Sequence, residues 1–276
     1  MPCFHPSRVP VRRKSIFSSR RVRYTQEVPC GHCSGCRAEQ GRQWAVRMMH
    51  EERMHDESHF VTLTYDGHHL PEHGSLVPAD LKAFVKALRK DYYPNRISFF
   101  GCGEYGEDNC RPHYHLITFG SRLLEDGRCA ELWKKGLVDV GSVTMASASY
   151  VAGYVQKKVL RRENPEHLLR VDEETGEIVD VEAEFARMSL RPAIGRRWIE
   201  QNWRDVYPRD FVVIEGREWK PPRYYDKWMD ANQPEVMEDV REKRYEEMVE
   251  LDAYQLNAKK VRLETRTALY GRRNSV

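Results

Sequence analysis

The sequence predicts an α+β fold: a central antiparallel β-sheet with helices packed on it, extended by a Cys-rich basic arm at the N-terminus and a helical C-terminal segment. Three observations predict it. Over residues 58–160, runs of β-formers alternate with amphipathic segments in the order β-α-β-β-α-β-α. Two of the strand runs are joined by a short polar turn, so they read as a hairpin and hence as an antiparallel pair. The chain has 276 residues, 40% hydrophobic and 32% charged, enough to bury a sizeable core beneath a wet surface.

Residues 1–29 read as an irregular basic arm. Residues 37–55 carry helical spacing around Trp44 and Met48. Ser58–Tyr65, with Phe60, Val61 and Leu63, is a strand. Pro78 opens a helix through about Tyr92 that places Leu81, Phe84, Val85 and Leu88 on one face. Arg96–Gly103 and His113–Phe119 are strands, residues 125–135 a short helix around Leu132 and Trp133, Leu137–Thr144 a strand and Ser147–Leu160 a helix. Helices on one side of the sheet fit this order. Residues 167–184 form a charged hairpin around Glu174-Thr175-Gly176, read as an exposed insertion. Residues 196–206 and about 234–268 read as helices. The expected division is therefore 1–57, 58–162, 163–186 and 187–276.

The formal net charge is +3, which excludes a general polycation but not a local basic face. Residues 1–50 hold ten Lys/Arg against two acids, and residues 163–186 hold nine acids against Arg170. The two blocks cancel. A charge run is usually a solvated face, but this basic block spans a whole arm (Arg12, Arg13, Lys14, Arg20, Arg21, Arg23) beside a Cys cluster, which favours phosphate contact. No apolar run approaches the roughly 20 residues of a membrane span, and no apolar h-region of a secretory signal follows the first residues. Seven cysteines, an odd number, fit a reducing compartment with metal-binding or free thiols.

Three constellations carry possible chemistry. In Arg111-Pro112-His113-Tyr114-His115, strand alternation puts His113 and His115 on one face and Tyr114 on the other. An isolated His-x-His is more often two incidental surface histidines. Here the pair heads an apolar strand, and pairing of 96–105 with 113–119 brings Glu104 near it. Two imidazoles and one carboxylate hold a divalent ion and leave positions open for substrate oxygens; nitrogen ligands favour Mn²⁺ or another transition metal, and the carboxylate tolerates Mg²⁺. In Tyr150-Val-Ala-Gly-Tyr154-Val-Gln-Lys157-Lys158, the two phenols lie one helical turn apart with the lysines a turn further on. Such tyrosines are more often core residues, yet beside a metal-polarised phosphate a phenol is a nucleophile and a lysine a charge partner. The third, Cys30-x-x-Cys33-x-x-Cys36 with Cys3, offers four ligands to a tetrahedral Zn²⁺. His32 or His5 in place of Cys3, free thiols or an Fe–S cluster remain open. Cys102, Cys110 and Cys129 read as ordinary thiols.

The ordered set F-V-T-L-T-Y, His-hydrophobic-His and Y-x-x-x-Y-x-x-K resembles the HUH endonucleases, in the two-tyrosine class of rolling-circle replication initiators. The wording G-C-G-E-Y-G, R-P-H-Y-H, Y-V-A-G-Y-V-Q-K-K and V-P-C-G-H-C-S-G-C-R, with R-M-S-L-R-P-A-I-G and Pro221-Pro222-Arg223-Tyr224-Tyr225 further on, is similar to the initiators of gokushovirus-type microviruses, small single-stranded DNA viruses of bacteria. The resemblance covers most of residues 1–230. It implies an RRM-like HUH fold. It implies His113, His115 and Glu104 as ligands of catalytic Mg²⁺ or Mn²⁺. Tyr150 and Tyr154 would be alternating nucleophiles, and Lys157 or Lys158 the assisting cation. The reaction implied is nicking of origin DNA through a 5′-phosphotyrosyl link, release of a 3′-OH and rejoining to circular single strands in the host bacterial cytoplasm, with host DNA polymerase and helicase as partners. No Walker-type loop is present, so a fused helicase is not expected. A zinc-stapled nucleic-acid-binding protein without cleavage, and a plasmid initiator, relaxase or transposase of the same superfamily, are the alternatives.

Overall fold

The computed structural model describes residues 3–14, 21–106, 109–122, 127–153, 165–172, 174–247 and 251–273. The chain divides into two compact units, residues 1–40 with 249–276, and residues 41–248.

In the first unit, β1 (Ser7–Lys14) and β2 (Arg21–Val28) form an antiparallel ribbon, with Ser7 opposite Val28 and Lys14 opposite Arg21. The expected irregular arm is therefore a hairpin. Val9, Val11, Val22 and Tyr24 alternate with polar and basic residues, a period-2 pattern that the arginines mask. At the base of the ribbon, α1 (Ser34–Glu52) begins. The helix α8 (Ala253–Arg273) belongs to the same unit and brings Leu256 and Leu263 against Phe4, Cys33 and Cys36.

In the second unit a five-stranded antiparallel sheet has the order β6-β3-β5-β4-β9. Its strands are β3 (Ser58–Tyr65), β4 (Ser98–Tyr105), β5 (Pro112–Phe119), β6 (Gly136–Ser142) and β9 (Phe185–Met188). Alternation decides which face each residue serves. Val61, Leu63, Tyr65, Tyr114 and Leu116 pack beneath α2 (Pro78–Asp91) and α3 (Arg128–Trp133). The α2 stripe is Leu81, Phe84, Val85 and Leu88, all buried, as its spacing predicts. The other face is covered too: Phe100, Ile117 and Phe119 pack with α1, with α4 (residues 145–153 as described), and with α5 (Arg196–Val206), α6 (Arg223–Asn232) and α7 (Pro234–Glu246). Helices therefore flank both faces rather than one, because α4 crosses to the second face and segments outside 58–160 complete the layer there.

The hairpin read around Glu174-Thr175-Gly176 forms as β7 (Leu169–Val171) and β8 (Ile178–Asp180). It is not wholly exposed. Leu168, Val181, Ala183 and Phe185 are buried against the sheet, and β9 joins β4 with Gly103 opposite Phe185. A second small hairpin, β10 (Val212–Ile214) with β11 (Arg217–Trp219), precedes α6. The single helix expected over 234–268 is two, α7 and α8. A capping box starts the second: Asp252 Oδ1 accepts the Gln255 N–H at 2.8 Å, and Gln255 Oε1 accepts the Asp252 N–H at 3.3 Å.

Within the second layer, the buried His50 ring stacks on Trp198 with centroids 3.5 Å apart. Its Nδ1 meets the Tyr225 hydroxyl at 2.9 Å. Burial, aided by Arg53, pushes its pKa down to about 3. No helix among the described residues is long and apolar enough to cross a membrane.

Candidate active site and cysteine cluster

The sheet register assembles the first site. β5 pairs with β4 so that Glu104 lies opposite His113 and Cys102 opposite His115. On the other side, β3 sets Thr62 opposite His115 and Thr64 opposite His113. Side chains at 113 and 115 share the face that α4 covers. Tyr114 points the other way, buried, with its hydroxyl 2.8 Å from the Tyr65 hydroxyl and accepting the Val77 N–H at 2.9 Å. The bulky tyrosine between the histidines is thus a satisfied core residue.

Each imidazole is held by a hydroxyl. Thr62 Oγ1 is 3.1 Å from His115 Nδ1, and Thr64 Oγ1 is 3.0 Å from His113 Nδ1. That arrangement reserves both Nε2 atoms for the site. A Cβ on Gly106 would sit 3.2 Å from His113 Nε2, so glycine there keeps that nitrogen open. His115 Nε2 lies 2.8 Å from Glu104 Oε1, and Phe60 stacks parallel on the His115 ring at 5.7 Å. The Tyr150 hydroxyl donates to the same Glu104 Oε1 at 2.9 Å, and its ring stands edge-on to His115 at 5.2 Å. Glu104 and His115 are buried, whereas Tyr150 is 38% exposed. A nucleophile candidate therefore bridges a buried polar cluster and solvent. Burial, reinforced by His115, lowers the His113 pKa and favours the neutral, ligating imidazole.

The donor set, two imidazole nitrogens and a carboxylate, fits a divalent ion. The two imidazole centroids are 6.5 Å apart. Tyr154, Lys157, Lys158 and Arg20 lie outside the described residues. Arg12, Arg13, Lys14, Arg21 and Arg23 have backbone positions on the ribbon. Phe60, Thr62 and Thr64 belong to the F-V-T-L-T-Y run, which by itself reads only as a buried strand and gives them no site role. Their signal was there: a polar-tolerant period-2 face on β3 opposite Val61 and Leu63.

The second site is in the first unit. The sulfurs of Cys3, Cys30, Cys33 and Cys36 all lie within 4.8 Å of one another. Among the described residues no other His/Cys/Asp/Glu group of three or more is gathered this tightly. Cys3 is 3.6 Å from Cys30 and 3.9 Å from Cys33, and Cys30 is 4.0 Å from Cys36. Four thiolates about 2.3 Å from a tetrahedral Zn²⁺ stand roughly 3.8 Å apart, so the spacing already suits the ion. Backbone N–H groups of Phe4, Cys30 and Cys33 point at the sulfurs of Cys33, Cys3 and Cys30 at 3.3–3.4 Å. Burial works against ionisation of Cys33, but the N–H groups of Phe4 and Cys36 bring its pKa down to about 6. Burial and the neighbouring thiols push Cys36 up to about 12. The Cys33 and Cys36 thiols are thus pushed apart, and a cation between them favours the thiolate of both. His32 turns away, its Nδ1 2.9 Å from the Cys30 carbonyl, so Cys3 completes the set. All seven cysteines are free of disulfides.

Comparison with known proteins gives the family. Residues 58–159 match the family described as replication-associated protein ORF2/G2P. The replication-associated protein VP4 of Bdellovibrio phage phiMH2K is 31% identical over 248 residues, covering 80% of this chain and 74% of that protein. The replication-associated protein ORF2 of Spiroplasma virus 4 is 28% identical, covering 78% and 73%. The replication-associated protein ORF4 of Chlamydia phage 1 is 35% identical over 154 residues, covering 48% and 38%. No solved structure matches significantly. The chain belongs to this family of replication-associated proteins of small bacterial viruses, and the strands β3 to β6 with the two histidines lie inside the matched segment.

Proposed function

We propose that this protein initiates rolling-circle DNA replication of a small single-stranded DNA virus, nicking origin DNA through a tyrosine and later rejoining the ends. The observation that carries the reading is the shared oxygen: Glu104 Oε1 accepts from the Tyr150 hydroxyl at 2.9 Å while meeting His115 Nε2 at 2.8 Å. A half-exposed phenol held against a His-His-Glu set, in a family named for replication, supports attack on a phosphodiester.

In the proposed step Tyr150 Oη forms a bond to the scissile phosphorus, and the bond to the 3′ oxygen breaks. The products are a 5′-phosphotyrosyl link and a free 3′-OH, which a host polymerase extends while a host helicase unwinds. The phenol's proton has an acceptor in place at Glu104 Oε1. Phe60 and the Thr62 and Thr64 hydroxyls fix the imidazoles. His113, His115 and Glu104 would hold Mg²⁺ or Mn²⁺, which when bound supplies Lewis-acid polarisation of the phosphate. Tyr154, one helical turn on in sequence, takes the second cleavage; attack of the new 3′-OH on the first link then closes the circle and returns the tyrosine. Lys157 or Lys158 neutralises charge gathering on the phosphate. The cysteine cluster holds a structural Zn²⁺ that ties the base of the ribbon to the start of α1, and the basic residues of the ribbon contact DNA phosphates. The site of action is the host cytoplasm.

The test is a covalent adduct. Incubated with a labelled viral origin strand and Mn²⁺ or Mg²⁺, wild-type protein forms a protein–DNA species. Tyr150→Phe combined with Tyr154→Phe abolishes it, and His113→Ala abolishes it while sparing most DNA affinity. Adduct formation by the double tyrosine variant would sink the assignment.

A further inference from the structure

The β4–β9 edge of the sheet carries a second feature that the nicking site does not use. A groove of about 690 Å³ opens there, between the end of α2, the start of β4 and the segment after β9. That volume lies within the roughly 300–1,000 Å³ of ligand-sized clefts. Three arginines line it, Arg89, Arg96 and Arg191, and among the described residues no carboxylate does. Arg89 is built in: it donates to the Ile97 carbonyl at 3.3 Å and to Ser189 Oγ at 3.2 Å, and lies over the Phe99 ring. Arg96 and Arg191 are exposed, and among the described residues neither pairs with an acid. Apolar surface accompanies the charge. Leu190 in the groove is 70% exposed, and Tyr93, directly before the lining Pro94, is 83% exposed.

Edge strands commonly carry charge to block pairing with another sheet. That accounts for an arginine on β9 itself, such as Arg187, but not for a concave, acid-free groove on three separate segments with aromatic surface beside it. Unpaired guanidinium groups beside exposed rings are the recognition chemistry of single-stranded nucleic acid, phosphates on the cations and bases on the apolar faces. β4 links the groove to the nicking site. From Ser98 to Glu104 the strand rises about 20 Å, a distance a single strand covers in about six nucleotides at helical rise.

We propose that this Arg89–Arg96–Arg191 groove is a second binding site for single-stranded DNA, holding the strand that flanks the nick. The choice of DNA as the polyanion rests on the nicking reading; the groove itself does not.

The experiment uses the full-length protein with Arg96→Gln and Arg191→Gln combined, since both side chains are exposed and neither belongs to the nicking site. Binding of fluorescein-labelled dT20 is followed by anisotropy across a salt series. The expected result is an affinity roughly tenfold lower, with the log–log salt slope reduced by about 1.4, as for two phosphate contacts on a single strand. Lys82→Gln with Lys86→Gln, which changes net charge equally on the exposed face of α2, is expected to change little. Equal loss in both pairs, or none in the arginine pair, overturns the groove. Equal loss for a 20-base-pair duplex overturns its assignment to single strands. Adduct formation on the viral origin strand is read separately. A wild-type protein that makes no adduct, yet loses dT20 binding with the arginines, would overturn the nicking reading and keep the groove.

Discussion

Cys33→Ser tests whether the first unit has a core without the proposed zinc. Among its described side chains that unit buries Phe4 at 6% exposure, Cys33 and Cys36, with Leu256 and Leu263 partly covered. Full burial of a Phe side chain contributes about 1.5–3 kcal/mol. Against it stand two eight-residue strands, whose ordering costs about 1–2 kcal/mol per residue in backbone entropy. A two-stranded ribbon on its own is marginal in water. Structural zinc in small peptides binds with an apparent 10–16 kcal/mol, which is the scale of the missing term. Removing one of four sulfurs should therefore strip the metal and melt the ribbon, leaving the sheet of residues 58–142 intact. Native mass spectrometry should find one zinc in wild-type protein and none in Cys33→Ser. Hydrogen exchange should rise across residues 7–28 and stay unchanged across β3–β5. Zinc-free wild-type protein from zinc-replete growth, or an unchanged exchange profile over 7–28 in the variant, would refute the reasoning.

Two further outcomes follow from the second unit. Thr62→Val and Thr64→Val keep the strand shape but remove the hydroxyls 3.1 and 3.0 Å from the histidine Nδ1 atoms; each should weaken Mn²⁺ binding by roughly 10- to 100-fold, measured by titration calorimetry, and unchanged affinity would mean the rings need no such support. His50 is buried with its pKa down at about 3, against an ordinary value of 6.5. The unfolded chain therefore binds the proton first, and stability is full above about pH 6.5 and falls as pH drops toward 3, by up to about 1.4 kcal/mol per unit. Denaturant unfolding at several pH values should show His50→Phe with a shallower acid slope, and parallel slopes would assign the acid sensitivity to other groups.

The elements legible in the sequence were those whose period is long and clean. β3 and α2 run eight or more residues with one apolar face, and β5 is an eight-residue run buried on both faces, so pattern alone placed them. The ribbon is hidden because arginines fill its polar positions, so the arm reads as irregular. β10 and β11 have three residues each, too short for a period to register. The turn between them was the available signal: Glu215 and Gly216 both take positive φ, 48° and 71°, the two-residue geometry of a tight hairpin. The Asp252-x-x-Gln255 box likewise marked the start of α8 inside a run whose charge looked continuous. At the His-His-Glu site, residue types and hairpin pairing brought Glu104 to the histidines. The sequence did not tell that Glu104, opposite His113 in register, bonds instead to His115 on the diagonal. That choice belongs to sheet twist and rotamer, which spacing does not encode.

The diagonal contact has a consequence for metal binding. Glu104 Oε1 receives the Tyr150 hydroxyl and meets His115 Nε2, so both donors compete with an incoming cation for one oxygen. Tyr150→Phe removes one competitor and leaves the proposed ligands in place. A hydrogen bond to a charged group is worth about 1.5–3 kcal/mol when buried, but Tyr150 is 38% exposed and water replaces part of the loss. The net gain in Mn²⁺ affinity should then be severalfold rather than a hundredfold. It is read by calorimetry or by the decline of the free Mn²⁺ paramagnetic signal, independently of any cleavage. If Tyr150→Phe binds Mn²⁺ more weakly, the phenol is itself a ligand, and the hydroxyl–carboxylate contact is not a brake on the site but a part of it.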